Sequence, residues 1–191
     1  MPTWQAVQAT LFVVASTGIL YTSRRALAAR GSHGFYRFFA WEAIAALVAL
    51  NLPVWLRDPF SPAQLLSWLL LIGSAYLVLD AVRLLRTAGH AAGGGPARED
   101  AANYAFENTS RLVRVGVYRF IRHPMYASLL YLAWGVYLKR PASWPGIALA
   151  LAASIGLWLT ARADEEECRR TFGSEYVEYM RHTRRFIPYL L

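Results

Sequence analysis

Residues 4–22 contain no charged side chain and are mostly apolar. The run 38–56 holds a single acid, Glu42, and the run 63–82 holds Asp80 near its end. A fourth run covers 142–161. Each matches the roughly 20 residues that a helix needs to cross a bilayer. A shorter run, 126–138, lies between the third and fourth and is followed by Lys139-Arg140-Pro141. It is too short to cross straight, and proline cannot continue a helix from within. The pattern therefore predicts an all-α, polytopic membrane bundle of about five transmembrane segments, the last two forming a helical hairpin. Near the C-terminus, Phe172, Tyr176, Tyr179 and Met180 recur at three- to four-residue spacing, which predicts an amphipathic helix. Gly173 within it marks a kink or a close contact. One integral membrane domain over 1–191 is expected, with spans and a loop over 1–110 and the hairpin and C-terminal helix over 111–191.

The positions of the arginines orient this bundle. None occurs in residues 1–23. The first loop has Arg24, Arg25, Arg30 and Arg37, and the second has Arg57 alone. Seven lie in the segment after the third run, and six in the tail from Arg162 to Arg185. Lys139 and Arg140 mark the hairpin turn. Basic residues near span ends favour the cytosolic side. The expected topology is N-terminus out and C-terminus in, with 83–125 and 162–191 on the cytosolic face. The N-terminus lacks the basic flank and small-residue cleavage site of a secretory leader, so its apolar run is expected to be the first span. The Gly/Ala-rich stretch 89–100 has the composition of a linker, or of a mobile gate over a site, and lacks the G-x-G-x-x-G spacing of a dinucleotide fingerprint.

Composition narrows the function classes. The chain is 56% hydrophobic and 17% charged, with a net charge of +8. Disorder requires the opposite balance. Cys168 is the only cysteine, so a disulfide scaffold is excluded. Nucleic-acid binders carry their charge on a soluble fold, whereas these charges sit between apolar runs; no nucleic-acid partner is expected. The Ala/Arg-rich, Lys-poor composition suggests a GC-rich prokaryotic genome, and hence an inner (cytoplasmic) membrane. No metal-ligand spacing stands out, so no metal is expected.

Two stretches carry candidate chemistry. In GVYRFIRHPMY, residues 116–126, Pro124 suits the first turn of a helix. His123 would then stand at the helix entrance with Arg119 and Arg122 beside it, an arrangement that favours an anionic ligand group. In RADEEECRRTFGSEY, residues 162–176, four consecutive acids turn about 100° each around a helix, so some face the protein and some face water. Arg169 and Arg170 lie at pairing distance from Glu165, Glu166 and Glu167. Asp80 is expected to pair with Arg83 or Arg86.

RHPMY (122–126) and DEEECRRTFGSEYVEYMRHTRRFIP (164–188) together resemble the integral membrane methyltransferases, which include isoprenylcysteine carboxyl methyltransferases and phospholipid N-methyltransferases. Gly116, Tyr118, Arg122, His123, Pro124 and Tyr126 match the first half of the family pattern. Glu165, Phe172, Gly173, Tyr176, Tyr179 and Pro188 match the second. The similarity covers about the last 75 residues. Ser128 stands where the family often has glycine. Counting back from Phe172 aligns the acidic pair to Asp164-Glu165; counting from Arg162 aligns it to Glu166-Glu167.

The resemblance implies S-adenosyl-L-methionine as methyl donor and a lipid or prenylated small-molecule acceptor at the cytosolic membrane face. It implies Glu165, Glu166, Arg162 and His123 as catalytic residues. It also implies Tyr118, Arg122, His123, Pro124, Tyr126, Tyr176 and Tyr179 as donor-binding residues. A carboxylate could hold the donor's ammonium, Arg122 its carboxylate, and tyrosine faces its sulfonium. A carboxylate acceptor needs no base, whereas an amine or hydroxyl acceptor does, and His123 or a glutamate would serve. Two other readings compete: an NADPH-dependent membrane reductase of the sterol-reductase type, and a non-enzymatic membrane subunit.

Overall fold

The computed structural model describes residues 3–89 and 109–188. Most of the linker expected at 89–100 therefore lies outside the described residues. Among these residues six α-helices form: α1 (Trp4–Ala28), α2 (His33–Asn51), α3 (Pro62–Ala88), α4 (Pro124–Tyr137), α5 (Trp144–Phe172) and α6 (Ser174–His182). Short 3₁₀ turns occupy Leu52–Val54 and Gly116–Arg119. Among the described residues the only β pairing is an isolated parallel bridge between Ile121 and Arg184.

Hydroxyl side chains set the helix starts. Thr3, Ser32, Ser61 and Ser143 each accept a hydrogen bond from a first-turn backbone N–H, at 3.2–3.4 Å. This satisfies donors that the helix itself leaves orphaned. Ser32 starts α2 five residues before its apolar run, which brings His33 and Arg37 into the helix. Proline sits in the first turn of α3, α4 and α5, where its missing N–H costs nothing.

Four helices, α1, α2 with its 3₁₀ extension, α3 and α5, are long and apolar enough to cross a membrane. With 14 residues, α4 is about 21 Å long and is the short arm of the expected hairpin. Trp134 on α4 donates to Ser154 Oγ on α5 at 3.2 Å. α5 continues for a further turn and more beyond the apolar run, carrying the acids of 164–167 past its membrane portion.

The bundle is apolar outside and small-sided inside. Leu69, Ile72 and Leu79 of α3 and Ile155 of α5 face outward. The helix contacts use Ala40, Ala43, Ala133, Ala150, Ala153 and Ala161. A side chain at Gly156 would place its Cβ 3.1 Å from that of Ala40, so α2 and α5 approach nearly backbone to backbone there. Small residues at helix contacts and large ones toward the exterior are what a lipid solvent selects, because lipid gives helices no hydrophobic reason to hide leucine. The chain is an integral, multi-pass membrane protein.

Candidate active site

The start of α4 is built by pairing with the C-terminal tail. Arg122 N–H donates to Arg184 O at 2.7 Å, His123 N–H to Arg185 O at 3.1 Å, and Arg184 N–H to Phe120 O at 3.1 Å. Pro124 then begins α4, with His123 as the residue before it. RHPMY and the tail are thereby locked together beside the polar end of α5.

The four acids of α5 separate by helical rotation. Asp164 faces a cavity at the start of α4. Glu165 turns toward the tail and is 2% exposed. Its Oε1 accepts from Arg122 Nε and Arg185 Nε, each at 3.0 Å, and its Oε2 accepts from Arg185 at 2.7 Å. Glu166 faces outward and pairs with Arg169 and Arg170 at 3.5 and 3.3 Å. Glu167 turns to α2, where its Oε2 lies 3.0 Å from His33 Nδ1. Donor atoms of His33, Asp164 and Glu167 all fall within 4.8 Å of one another.

His123 is the hinge of this arrangement. Its Nδ1 lies 3.3 Å from Asp164 Oδ2. Its Nε2 is buried and faces Glu165 Oε1 at 3.5 Å, an ion-pair contact outside hydrogen-bond geometry. The ring stacks on Tyr126, with centroids 5.3 Å apart and planes 18° from parallel. Burial alone would lower its pKa, but the two carboxylates outweigh burial and raise it above the ordinary 6.5. The two carboxylates thus favour the protonated ring.

The cavity encloses about 630 Å³ of empty space, part of it open to solvent. Leu85 of α3, Leu112 and Val113 of the preceding segment, and Met125 give it an apolar wall. Asp164, Cys168 and Phe172 line it from successive turns of α5. Tyr176 and Tyr179 enter from α6, and the Tyr179 hydroxyl donates to the Tyr118 carbonyl at 2.6 Å. Burial drives both phenol pKa values up, so both rings stay neutral.

All seven residues implied as donor-binding, Tyr118, Arg122, His123, Pro124, Tyr126, Tyr176 and Tyr179, line this one cavity. Of the four implied as catalytic, only His123 does. Glu165 sits behind the wall, holding Arg122 and Arg185. Glu166 is occupied on the outer face, and Arg162 is exposed, its guanidinium 4.9 Å from the Trp158 ring centre. Arg122 is already committed: besides Glu165, its NH1 donates to the Thr183 carbonyl and to Met180 O at 3.3 Å, capping the end of α6. That leaves it poorly placed to take a ligand carboxylate. Arg111, also on the cavity wall, is exposed.

Asp164 was one of two alignments of the acidic pair, and the fold sets it on the wall. Arg185 and His33 carried no such signal. Arg185 is one cation in the basic run RHTRR, and His33 meets Glu167 across 134 residues of sequence.

Residues 62–175 match the model of the phospholipid methyltransferase family. A relative in Arabidopsis thaliana, Protein-S-isoprenylcysteine O-methyltransferase B, is 31% identical over 86 residues, which is 44% of this chain and 43% of the relative. No solved structure matches the chain. The family match spans well over half the sequence, from the first turn of α3 through the cavity-lining part of α5 and into α6, and on it the chain belongs to the phospholipid methyltransferase family.

Proposed function

We propose that the chain transfers a methyl group from S-adenosylmethionine to the carboxylate of a lipid-like acceptor, of which a prenylated cysteine is one example. The observation that carries this reading is the convergence of RHPMY, Asp164 and the α6 tyrosines on one cavity at the polar end of the bundle.

The cavity's chemistry fits the donor. Asp164 can accept from its ammonium, and Arg111 can donate to its carboxylate. Tyr126, Tyr176 and Tyr179 offer neutral aromatic faces to a sulfonium or an adenine. When bound, S-adenosylmethionine supplies an electrophilic methyl group. Binding and alignment are then the protein's main contribution. The His123 ring, with Nδ1 paired to Asp164 and Nε2 directed at Glu165, ties both carboxylates of α5 to the start of α4 beside the cavity. A carboxylate acceptor needs no base, because methylating it releases no proton. Glu165 is a positioning residue that keeps the guanidiniums of Arg122 and Arg185 in place.

The test is ligand-dependent thermal stability of the detergent-purified protein. A ligand in hundredfold excess over its dissociation constant stabilises the folded state by about 2.7 kcal/mol. S-Adenosylmethionine and S-adenosylhomocysteine should raise the melting temperature, and NADPH should not. Labelled methyl should then appear as a base-labile ester on a prenylcysteine analogue. A shift with NADPH alone would replace this reading with a reductase. A base-stable methyl on an amine lipid would overturn the carboxylate assignment.

A further inference from the structure

The opposite end of the bundle holds a second cleft. It lies where α2 ends, α3 begins, and α4 turns into α5, and it contains about 910 Å³ of empty space, part of it open. The segments at that end, 52–62 and 138–144, carry three basic residues, Arg57, Lys139 and Arg140. All three line this cleft, although about 80 residues of sequence separate the two loops. One acid, Asp58, lies there too, 3.6 Å from Arg57.

Lys139, the only lysine in the chain, is 4% exposed. Its Nζ donates to Gln64 Oε1 at 2.9 Å and lies 3.6 Å from the ring centre of Trp68 and 5.4 Å from that of Trp55. Among the described residues no carboxylate pairs with Lys139 or Arg140. A buried ammonium with one neutral acceptor and two indole faces is a cation without a counter-anion, and burial lowers its pKa accordingly.

The surroundings fix the depth of the cleft. Leu56, Phe60 and Trp144, at 72%, 85% and 85% exposed, ring this end of the bundle. Exposed aromatics clustered at helix ends mark the headgroup level of a bilayer. The anion most abundant at that level is the phosphodiester of a lipid.

We propose that Arg57, Lys139 and Arg140 form a binding site for the phosphate of an anionic lipid in the leaflet facing away from the methyl-transfer cavity. The site stands independently of the methyltransferase reading. The lipid's phosphate completes the charge balance of Lys139, and its glycerol and chains lie along Leu56, Phe60 and Trp144.

The test titrates phosphatidylglycerol, phosphatidylcholine or inorganic phosphate into the detergent-solubilised full chain and counts retained lipids by native mass spectrometry. Because the buried Lys139 risks misfolding when replaced, the variant is Arg57→Gln/Arg140→Gln. Its charge-matched control is Arg25→Gln/Arg30→Gln at the other end. The wild type should retain phosphatidylglycerol over phosphatidylcholine. The cleft variant should lose one retained lipid, with affinity falling about fivefold for each arginine removed. The control should keep that lipid. Equal losses in both variants, no loss in either, or equal retention of phosphatidylcholine would overturn the site. Displacement of the lipid by millimolar inorganic phosphate would assign the cleft to a free anion and overturn the lipid.

Discussion

Asp164 and Glu165 are adjacent carboxylates with different surroundings, and that difference separates their mutants. Glu165 is buried against two guanidiniums. Removing one partner of a buried ion pair leaves the others desolvated and unpaired, which costs about 3–5 kcal/mol. Glu165→Ala should therefore lower stability by roughly 3 kcal/mol, read as a fall in melting temperature without any donor present. Asp164→Asn removes the buried carboxylate that pairs with His123, so it too should lower the melting temperature of the unliganded protein, but it should also lose the shift that S-adenosylmethionine produces, which Glu165→Ala should keep. The reverse pattern would exchange the two roles. His123 adds a pH signature. Its folded-state pKa is raised, so the stability it contributes is fully present below its unfolded value of about 6.5 and is lost as pH rises through the folded value. Melting temperature should decline from about pH 6.5 upward, and His123→Gln should flatten that decline. An unchanged slope in the variant would place the titration elsewhere, with His33 beside Glu167 the next group to test.

At the scale of elements, the α5–α6 junction depends on Gly173. Its φ of +57° and ψ of −133° lie in a region closed to residues with a Cβ, yet nothing stands within 4 Å of where that Cβ would go. Gly173→Ala is therefore a test of backbone conformation alone. It should cost about 1–3 kcal/mol and, by tilting α6, weaken donor binding through Tyr176 and Tyr179. If both stability and binding were unchanged, the two helices would not need this turn. The kink was legible in FGSEY because glycine interrupts an otherwise helical pattern. The long helices were legible too, since an uncharged run of 19 residues has few other ways to satisfy its backbone in lipid. The partition of Asp164 to Glu167 was not. Successive residues differ by a fixed rotation, but which direction faces inward depends on where α4, the tail and α2 pack, and α5 alone does not encode that. Arg162 and Glu166 fit the motif spacing, yet both stand exposed on the outer side of α5. Arg185 and His33 escaped for the related reason that their partners are distant in sequence.

The molecule as a whole has two unlike ends. One gathers the start of α2, the end of α3, the start of α4 and the polar extension of α5, together with most of the arginines. Among the described residues, the other gathers Arg57, Lys139 and Arg140 on one cleft. Because positive charge is retained on the cytosolic side during insertion, this asymmetry should place the proposed methyl-transfer cavity inside. The same placement is what the proposed chemistry needs, since a charged, water-soluble donor is made in the cytosol and crosses lipid poorly. Orientation and function are thus linked, and one experiment bears on both. In a Cys168→Ser background, Ala142→Cys in the α4–α5 turn and Arg25→Cys near the end of α1 should react differently with a membrane-impermeant maleimide on intact cells. Both positions are exposed in the fold, so burial does not explain a difference. Ala142→Cys should label before lysis and Arg25→Cys only after it. The opposite result would put the cavity outside, where no cytosolic donor reaches it, and would count against methyl transfer from S-adenosylmethionine while leaving the fold intact.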